Sequence, residues 1–427
     1  MKREIVLIEN LNESYVKIKH KSGLLVVLKP MERFSYACAV FTTRFGSVNS
    51  CFKRTEDGDF FVVPDGVAHY LEHKLFENED GSITFELFSK EKAIANAETS
   101  FKSTSYYFSS ISENFVNALK ILVNFVQTPY FTDENVEKEK GIIAQEINMY
   151  EDSPEAVSFF NCLAGMYFNS SVKLKIAGTV ESIAKIDKNV LYECYNTFYS
   201  SNNMILTIAG NFNELEVLKM LDEELKTKKA VKFETVFEEE PPNVRVNSVE
   251  ATMPIKTPMF HLGYKIEPKK GEELFKFVVC LEILSELLFG EGSLLYNEFY
   301  ENGLVVGKEL DYDVLFGENF LALILSGETE KPETVLEKIT QEIEYKKQTL
   351  FDEEDFLLVK KTKYKDIVKS FSNPERAANF LADGFVDDFL ELQQLKIIAN
   401  IKLEDLIDCL KEININNKTF SIVKPVR

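Results

Sequence analysis

The sequence predicts two α+β domains joined by a short acidic linker. Three observations carry this reading. At 427 residues the chain exceeds one ordinary domain. Strand-like runs and amphipathic helical runs occur along its whole length. An acidic stretch ending in Glu238-Glu239-Glu240-Pro241-Pro242 falls near the middle, and beyond it the order of elements loosely repeats. Residues 1–230 are therefore expected to form one domain, 231–245 an exposed linker and 246–427 a second domain. Hydrophobic residues make up 45% of the chain, enough for a full core without covalent staples.

Short strands are expected at residues 4–8, 15–19 and 24–29, and a longer one over 34–46, ending at Gly46. Residues 60–64 lead through Pro64 into a helix, for which Asp65 is the expected N-cap and Val67, Leu71 and Leu75 the buried stripe. Turn residues Glu79-Asp80-Gly81-Ser82 follow it, then a helix over 83–90. Small and β-branched residues from Ala95 to Phe101, then aromatics from Thr104 to Ser110, suggest a hairpin. A helix is expected over 112–127, broken by Pro129. Another runs from Asp133 to Asp152, with Val136, Ile143, Ile147 and Tyr150 as its buried face.

In the second half, strand-like runs cover Pro254 to Ile266 and Phe320 to Leu325, and helices Glu272 to Phe289 and Glu333 to Lys347. Near the C-terminus a helix over Leu403 to Lys411 precedes a strand at Thr419 to Val423. Leu191 to Phe198, then Met204 to Ala209, has the same order.

The helix after Pro64 carries His69-Tyr70-Leu71-Glu72-His73, a His-x-x-Glu-His pattern. On a helix His69 and His73 lie one turn apart on one face, and Glu72 borders that face. Two imidazoles and a carboxylate so placed make most of a zinc site plus a general base. Only four histidines occur in the chain, and two fall in this motif. The bland alternative is two surface histidines on an amphipathic helix, which predicts no matching third ligand. Glu139 and Glu146 on the helix 133–152 are seven residues apart, only about 20° from alignment. Glu146 could supply that ligand, with Glu139 on the same face. Spacing alone leaves Glu134, Glu137 and Glu151 open as well.

A net charge of −20 argues against nucleic-acid binding, which wants a basic surface. The charges are spread along the chain and are read as solubilising. The six cysteines form no Cys-x-x-Cys pair and are expected as reduced, mostly buried thiols. The N-terminus has no sustained apolar run or small-residue cleavage site, and no stretch approaches the length of a membrane span. A cytoplasmic protein with no membrane attachment is expected.

His-x-x-Glu-His, followed later by Glu-x6-Glu on a helix, resembles the pitrilysin/insulinase family of zinc peptidases, which includes the mitochondrial processing peptidases. Asn96-Ala97-Glu98-Thr99 looks like the family's Asn-Ala-x-Thr. Ala177-Gly178-Thr179-Val180-Glu181-Ser182-Ile183 looks like its Gly-Thr-x-Glu-Ser-Ile segment. The run Glu137 to Ile143, continued by Gln145 to Tyr150, is similar to a Gram-positive bacterial subgroup of half-size members. The resemblance implies two homologous domains, each a mostly antiparallel sheet packed against helices, with zinc in the first only. It implies His69, His73 and Glu146 as zinc ligands, Glu72 as general base and Glu139 as a supporting carboxylate. Asn96, Ala97 and Thr99 would lie on an edge strand that pairs with substrate backbone. The implied activity is metalloendopeptidase cleavage of peptides or unfolded polypeptides inside a chamber. Peptide trimming in bacteriocin maturation is an alternative role, and a non-catalytic subunit the alternative of another class.

One departure bears on partners. Many relatives carry an Arg and then a Tyr that contact substrate from the second domain. In the matching run here, Gly292 to Val306, those positions fall at Tyr300 and at or beside Val306. Full-length clamshell members are about twice this size. The resemblance therefore implies a heterodimer with a homologous subunit lacking the zinc motif, or else a homodimer. His261 stands alone in the second half and is read as structural.

Overall fold

The structure is a computed structural model that describes residues 2–8, 13–54, 58–227, 230–306, 310–349, 351–388 and 393–426. It divides into two compact units, each discontinuous in sequence. The first comprises Met1–Ile147, Lys175–Val236 and Ile367–Gln393, and the second Asn148–Leu174, Phe237–Asp366 and Gln394–Arg427. This differs from the contiguous division at 1–230 and 246–427. Residues 148–174 group with the second unit, and residues 367–393 with the first.

Among the described residues the first unit holds ten strands: β1 (Lys2–Ile8), β2 (Glu13–Lys19), β3 (Leu25–Pro30), β4 (Tyr36–Thr43), β5 (Cys51–Arg54), β6 (Phe60–Val62), β7 (Ile94–Thr99), β8 (Thr104–Ile111), β9 (Met204–Gly210) and β10 (Phe233–Thr235). Seven form one sheet in the order β1-β2-β3-β9-β4-β8-β7, and β10-β5-β6 form a small second one. All the ladders are antiparallel except β3 with β9. The inner strands β4 and β9 are buried along almost their whole length. Such strands read as unbroken apolar runs because both faces are covered. One cover is the helix Pro374–Val386, which packs on β4 and β9. Its Ala377, Ala378, Leu381, Ala382 and Phe385 are buried, and Thr207 Oγ1 donates to the Ala378 carbonyl at 2.9 Å. That helix comes from the far end of the chain.

The motif lies on the first helix, α1 (Val67–Leu75), which is followed by α2 (Thr84–Lys90), α3 (Phe115–Gln127), α4 (Asp133–Glu151) and α5 (Pro154–Met166). The expected cap of α1 is corrected: the N-cap is Gly66, at φ 90°, and no side chain caps the helix. A Cβ at Gly66 would meet the Ala177 carbonyl oxygen at 2.4 Å. Asp65 instead offers its carbonyl to Ser182 Oγ at 2.8 Å. Thr179 and Ser182 form a reciprocal capping box next to that bond. The Gly178-Thr179 segment thus braces the entry to α1. Tyr150 is also corrected: it is 44% exposed, and the buried members of α4 are Val136, Glu139, Ile143 and Ile147.

In the second unit β11 (Ser248–Met253), β12 (Met259–Lys265), β13 (Leu310–Phe316), β14 (Leu321–Glu328) and β15 (Lys418–Pro425) form a sheet ordered β11-β15-β12-β14-β13. Only β11 with β15 is parallel. Both large sheets are thus mostly antiparallel, and helices pack on each. Helix α5 lies on β12 and β15. The approach is close: a Cβ at Gly263 would meet Met166 Sδ at 2.0 Å and Cys162 Sγ at 2.9 Å.

The acidic segment is not a freely exposed linker. Its first residues form β10, and the Glu240 side chain is only 7% exposed, accepting from the backbone N–H groups of Phe168, Asn169 and Ser170 and pairing with Lys265 at 2.6 Å. A carboxylate with that many donors is held in place despite the prolines that follow it. No described helix is long and apolar enough to cross a membrane. The six cysteines are free thiols, five of them buried.

Candidate metal centre

Helix α1 buries all its residues except His73, which is half-buried. Val67, Leu71 and Leu75 anchor one side in the core, as the apolar stripe predicts. Tyr70 ties the helix to α4 through a hydrogen bond from its hydroxyl to the Val136 carbonyl. The two imidazoles therefore stand on a rigid element, with ring centroids 4.6 Å apart.

Helix α4 brings Glu146 to both. His69 Nε2 lies 3.5 Å from Glu146 Oε1, and His73 Nε2 lies 3.3 Å from Glu146 Oε2. The three residues offer ligand atoms all within 4.8 Å of one another. These separations are long for charge-assisted hydrogen bonds, which run at about 2.7–2.9 Å. They match the edge of a tetrahedron of about 2.0–2.1 Å metal–ligand bonds, which is about 3.3 Å. The donor set and its spacing therefore fit a zinc ion. Of the five acidic candidates on α4, the tertiary structure brings Glu146 and Glu139 to the histidines.

Glu139 is 6% exposed and faces the other ring nitrogen, with Oε1 3.1 Å from His73 Nδ1. A carboxylate there orients the ring and turns Nε2 toward Glu146. Without metal, burial opposes the charged form of His73, but hydrogen bonds to Glu139 and Glu146 outweigh it and raise its pKa to about 9. The adjacent His69 and His73 imidazoles hold Glu146 well below the usual carboxylate range. Burial also opposes ionisation of Glu139, yet the His73 bond and the Lys74 charge leave its pKa lowered. Among the described residues His69 lacks such a second partner: its Nδ1 is buried and makes no hydrogen bond with them.

Glu72 is 8% exposed, and its Oε2 accepts from Thr99 Oγ1 at 2.6 Å. Thr99 ends β7, the outermost strand of the large sheet, whose free edge carries no strand among the described residues. Asn96 lies on the same strand, with its Oδ1 accepting from the Ala97 N–H at 2.9 Å, and Ala97 is half-buried. Asn96 also lines a cavity of about 770 Å³ with Glu72, His73, Phe76, Phe85 and Glu139. All eight residues singled out from sequence lie within the first unit. Thr99 and Asn96 thus adjoin the histidine–carboxylate group, the first through Glu72 and the second across the cavity. Sequence reading missed two features: that Thr99 holds Glu72, and that Lys74 is fully buried beside the histidines. A lysine inside an otherwise buried helix was the available signal for the second.

In the second unit, Tyr300 and Val306 are 55% and 46% exposed, the first on the helix Leu294–Glu301 that Ser293 caps. His261 on β12 is 6% exposed and packs edge-on against Phe159, as a structural histidine would.

Residues 63–180 match the family model described as Insulinase (Peptidase family M16), and residues 185–363 match the Peptidase M16 inactive domain. The zinc protease YmfH of Bacillus subtilis, itself uncharacterized, is 38% identical over 419 residues, covering 95% of each chain. The crystal structure of the M16-like peptidase of Alicyclobacillus acidocaldarius superposes with a TM-score of 0.92 at 31% identity, covering 96% of this chain and 98% of that one. Pitrilysin matches in fold, with a TM-score of 0.76 at 17% identity, over 99% of this chain but 46% of its own. With a relative this similar along nearly its whole length, the chain belongs to the insulinase/pitrilysin family of peptidases, peptidase family M16.

Proposed function

We propose that this chain is a zinc metalloendopeptidase that cleaves peptides or unfolded polypeptides. The observation that carries the reading is the ligand-like spacing of His69 Nε2, His73 Nε2 and the Glu146 carboxylate. Those three residues would hold the ion, which when bound supplies Lewis acidity for hydrolysis. Glu72 takes the proton of the attacking water and delivers it to the leaving amine nitrogen. The Thr99 hydroxyl holds one oxygen of Glu72, which leaves the other free for that proton. Glu139 orients His73. The open edge of β7 pairs with extended substrate backbone, and pairing of this kind reads shape more than sequence.

The chain corresponds to 46% of pitrilysin's length. This supports a two-chain enzyme that closes a chamber around the substrate, with this chain as the zinc-bearing subunit. Its partner would be a homologous subunit without the zinc motif, or a second copy. Cytoplasmic residence accords with the reduced thiols.

The test is metal content and peptide cleavage on one purified sample, alone and mixed with its candidate partner. Glu72→Gln should keep zinc and lose about 10²–10⁴-fold in kcat, the usual contribution of a general base. Retained activity would remove Glu72 from that role. No zinc and no cleavage in any mixture would leave a non-catalytic subunit.

A further inference from the structure

The residue after the second histidine is a lysine with no exposed side-chain surface. Lysine is almost never buried to this degree without a partner. Lys74 Nζ lies 2.7 Å from Glu77 Oε2 and 3.7 Å from Glu139 Oε2. Neither contact is aligned as a hydrogen bond, so the ammonium acts as a buried point charge. Helix packing alone gives no reason for a lysine here, since neighbouring Leu71 and Leu75 enter the core as hydrocarbon. A pairing with Glu77 would by itself only close the end of α1.

Glu139 makes the arrangement informative. Its two oxygens are divided, Oε1 toward His73 Nδ1 at 3.1 Å and Oε2 toward Lys74 at 3.7 Å. The carboxylate is 6% exposed and so has little water to turn toward. With no charge on the Oε2 side, nothing would fix which way it faces. We infer that Lys74 is a positioning residue of the metal centre: its buried ammonium holds Glu139 Oε2, so that Oε1 faces His73 Nδ1 and His73 Nε2 faces Glu146. The chain of contact runs Lys74, Glu139, His73, and Glu77 lies outside it at the end of α1. It extends the carboxylate–histidine support of a metal ligand by one further charged group. This inference rests on the zinc-peptidase reading above.

The experiment measures zinc dissociation constants by chelator competition for the whole chain and for K74M, E139Q, K74M/E139Q and E77Q. It also records ring ¹⁵N spectra of the zinc-free proteins. Methionine keeps the length of the buried stem. K74M is expected to weaken zinc about tenfold, the lower end for partners behind a ligand. Residues in one chain of contact do not act additively, so K74M is expected to change the E139Q affinity by less than about twofold. E77Q should keep the wild-type affinity. The His73 Nδ1–H signal of the wild type should shift in K74M and not in E77Q.

Wild-type affinity in K74M, or additive losses in the double variant, would overturn the role of Lys74 while leaving the zinc reading intact. An E77Q loss equal to that of K74M would assign the lysine to the helix end instead. A wild-type chain that takes up no zinc overturns both readings. K74Q replaces K74M if the latter does not fold, and failure of both to fold would make Lys74 structural.

Discussion

Thr99→Val removes one hydroxyl and almost no volume, and its consequence can be worked out from the site. Thr99 Oγ1 donates to Glu72 Oε2 at 2.6 Å, and Glu72 is only 8% exposed. A hydrogen bond to a charged acceptor contributes about 1.5–3 kcal/mol, and a buried carboxylate does not recover it from bulk water. If the full loss falls on placement of the base, kcat drops about 10- to 150-fold, at about 1.4 kcal/mol per tenfold. Glu72 already engages the hydroxyl, so KM should move less than kcat. Thr99→Ser keeps the donor and should recover most of the rate. The assay is steady-state cleavage of a quenched fluorescent peptide, with urea unfolding of the same samples to separate misfolding from misplacement. A T99V chain within about twofold of wild-type kcat would refute the assignment. So would a T99S loss as large as that of T99V.

Further outcomes can be checked alongside. Glu146→Gln removes the carboxylate that spans both imidazoles, and zinc content after dialysis should fall to a small fraction of wild type while the fold measured by circular dichroism persists. Gly66→Ala adds a Cβ at φ 90° against the Ala177 carbonyl, 2.4 Å away, so urea unfolding should show a loss of about 1–3 kcal/mol together with weaker zinc binding. A Cβ at Gly263 meets Met166 Sδ and Cys162 Sγ, so Gly263→Ala should lower stability by about 1–3 kcal/mol through overpacking of α5 on β12, and an unchanged Tm would contradict that packing. Burial lowers the pKa of His261 from 6.5 to about 4. The unfolded chain then binds the extra proton in that window, so stability is lost as pH falls from about 6.5 to about 4. The loss between pH 7 and 4.5 is about 2.5 kcal/mol, and His261→Leu should remove that share of the acid sensitivity in urea titrations.

Much of the site is local and therefore legible. The turn of α1 alone puts His69 and His73 on one face, and the strand pattern around Asn96 and Tyr106 is enough to propose the β7–β8 hairpin. The apolar stripe Val67, Leu71, Leu75 says which side of α1 enters the core. Other expectations failed where a distant segment intervened. The cap at Asp65 gave way to Gly66 because the Ala177–Ser182 segment occupies the entry to α1. Glu240 reads as linker charge, yet its carboxylate is held by three backbone N–H groups from residues 168–170. Tyr150 continues the stripe of α4 by periodicity but is exposed, because the last turn of the helix outruns the core.

The sequence by itself determined the motif, the helix that carries it, and an α+β chain with mostly local strand and helix boundaries. These follow from backbone periodicity, which acts over one or two turns. Only the tertiary structure decided which α4 carboxylates meet the histidines, since five glutamates on one helix look alike until the helix is docked. It likewise decided that α5 joins the second sheet and the helix Pro374–Val386 the first. Inner strands need cover on both faces, and which helix supplies it depends on packing across the whole chain rather than on adjacency along it. The buried charge of Lys74 belongs to the same class: a lysine on a helix is ordinarily solvated, and only the docking of α4 against α1 places the Glu139 carboxylate beside it.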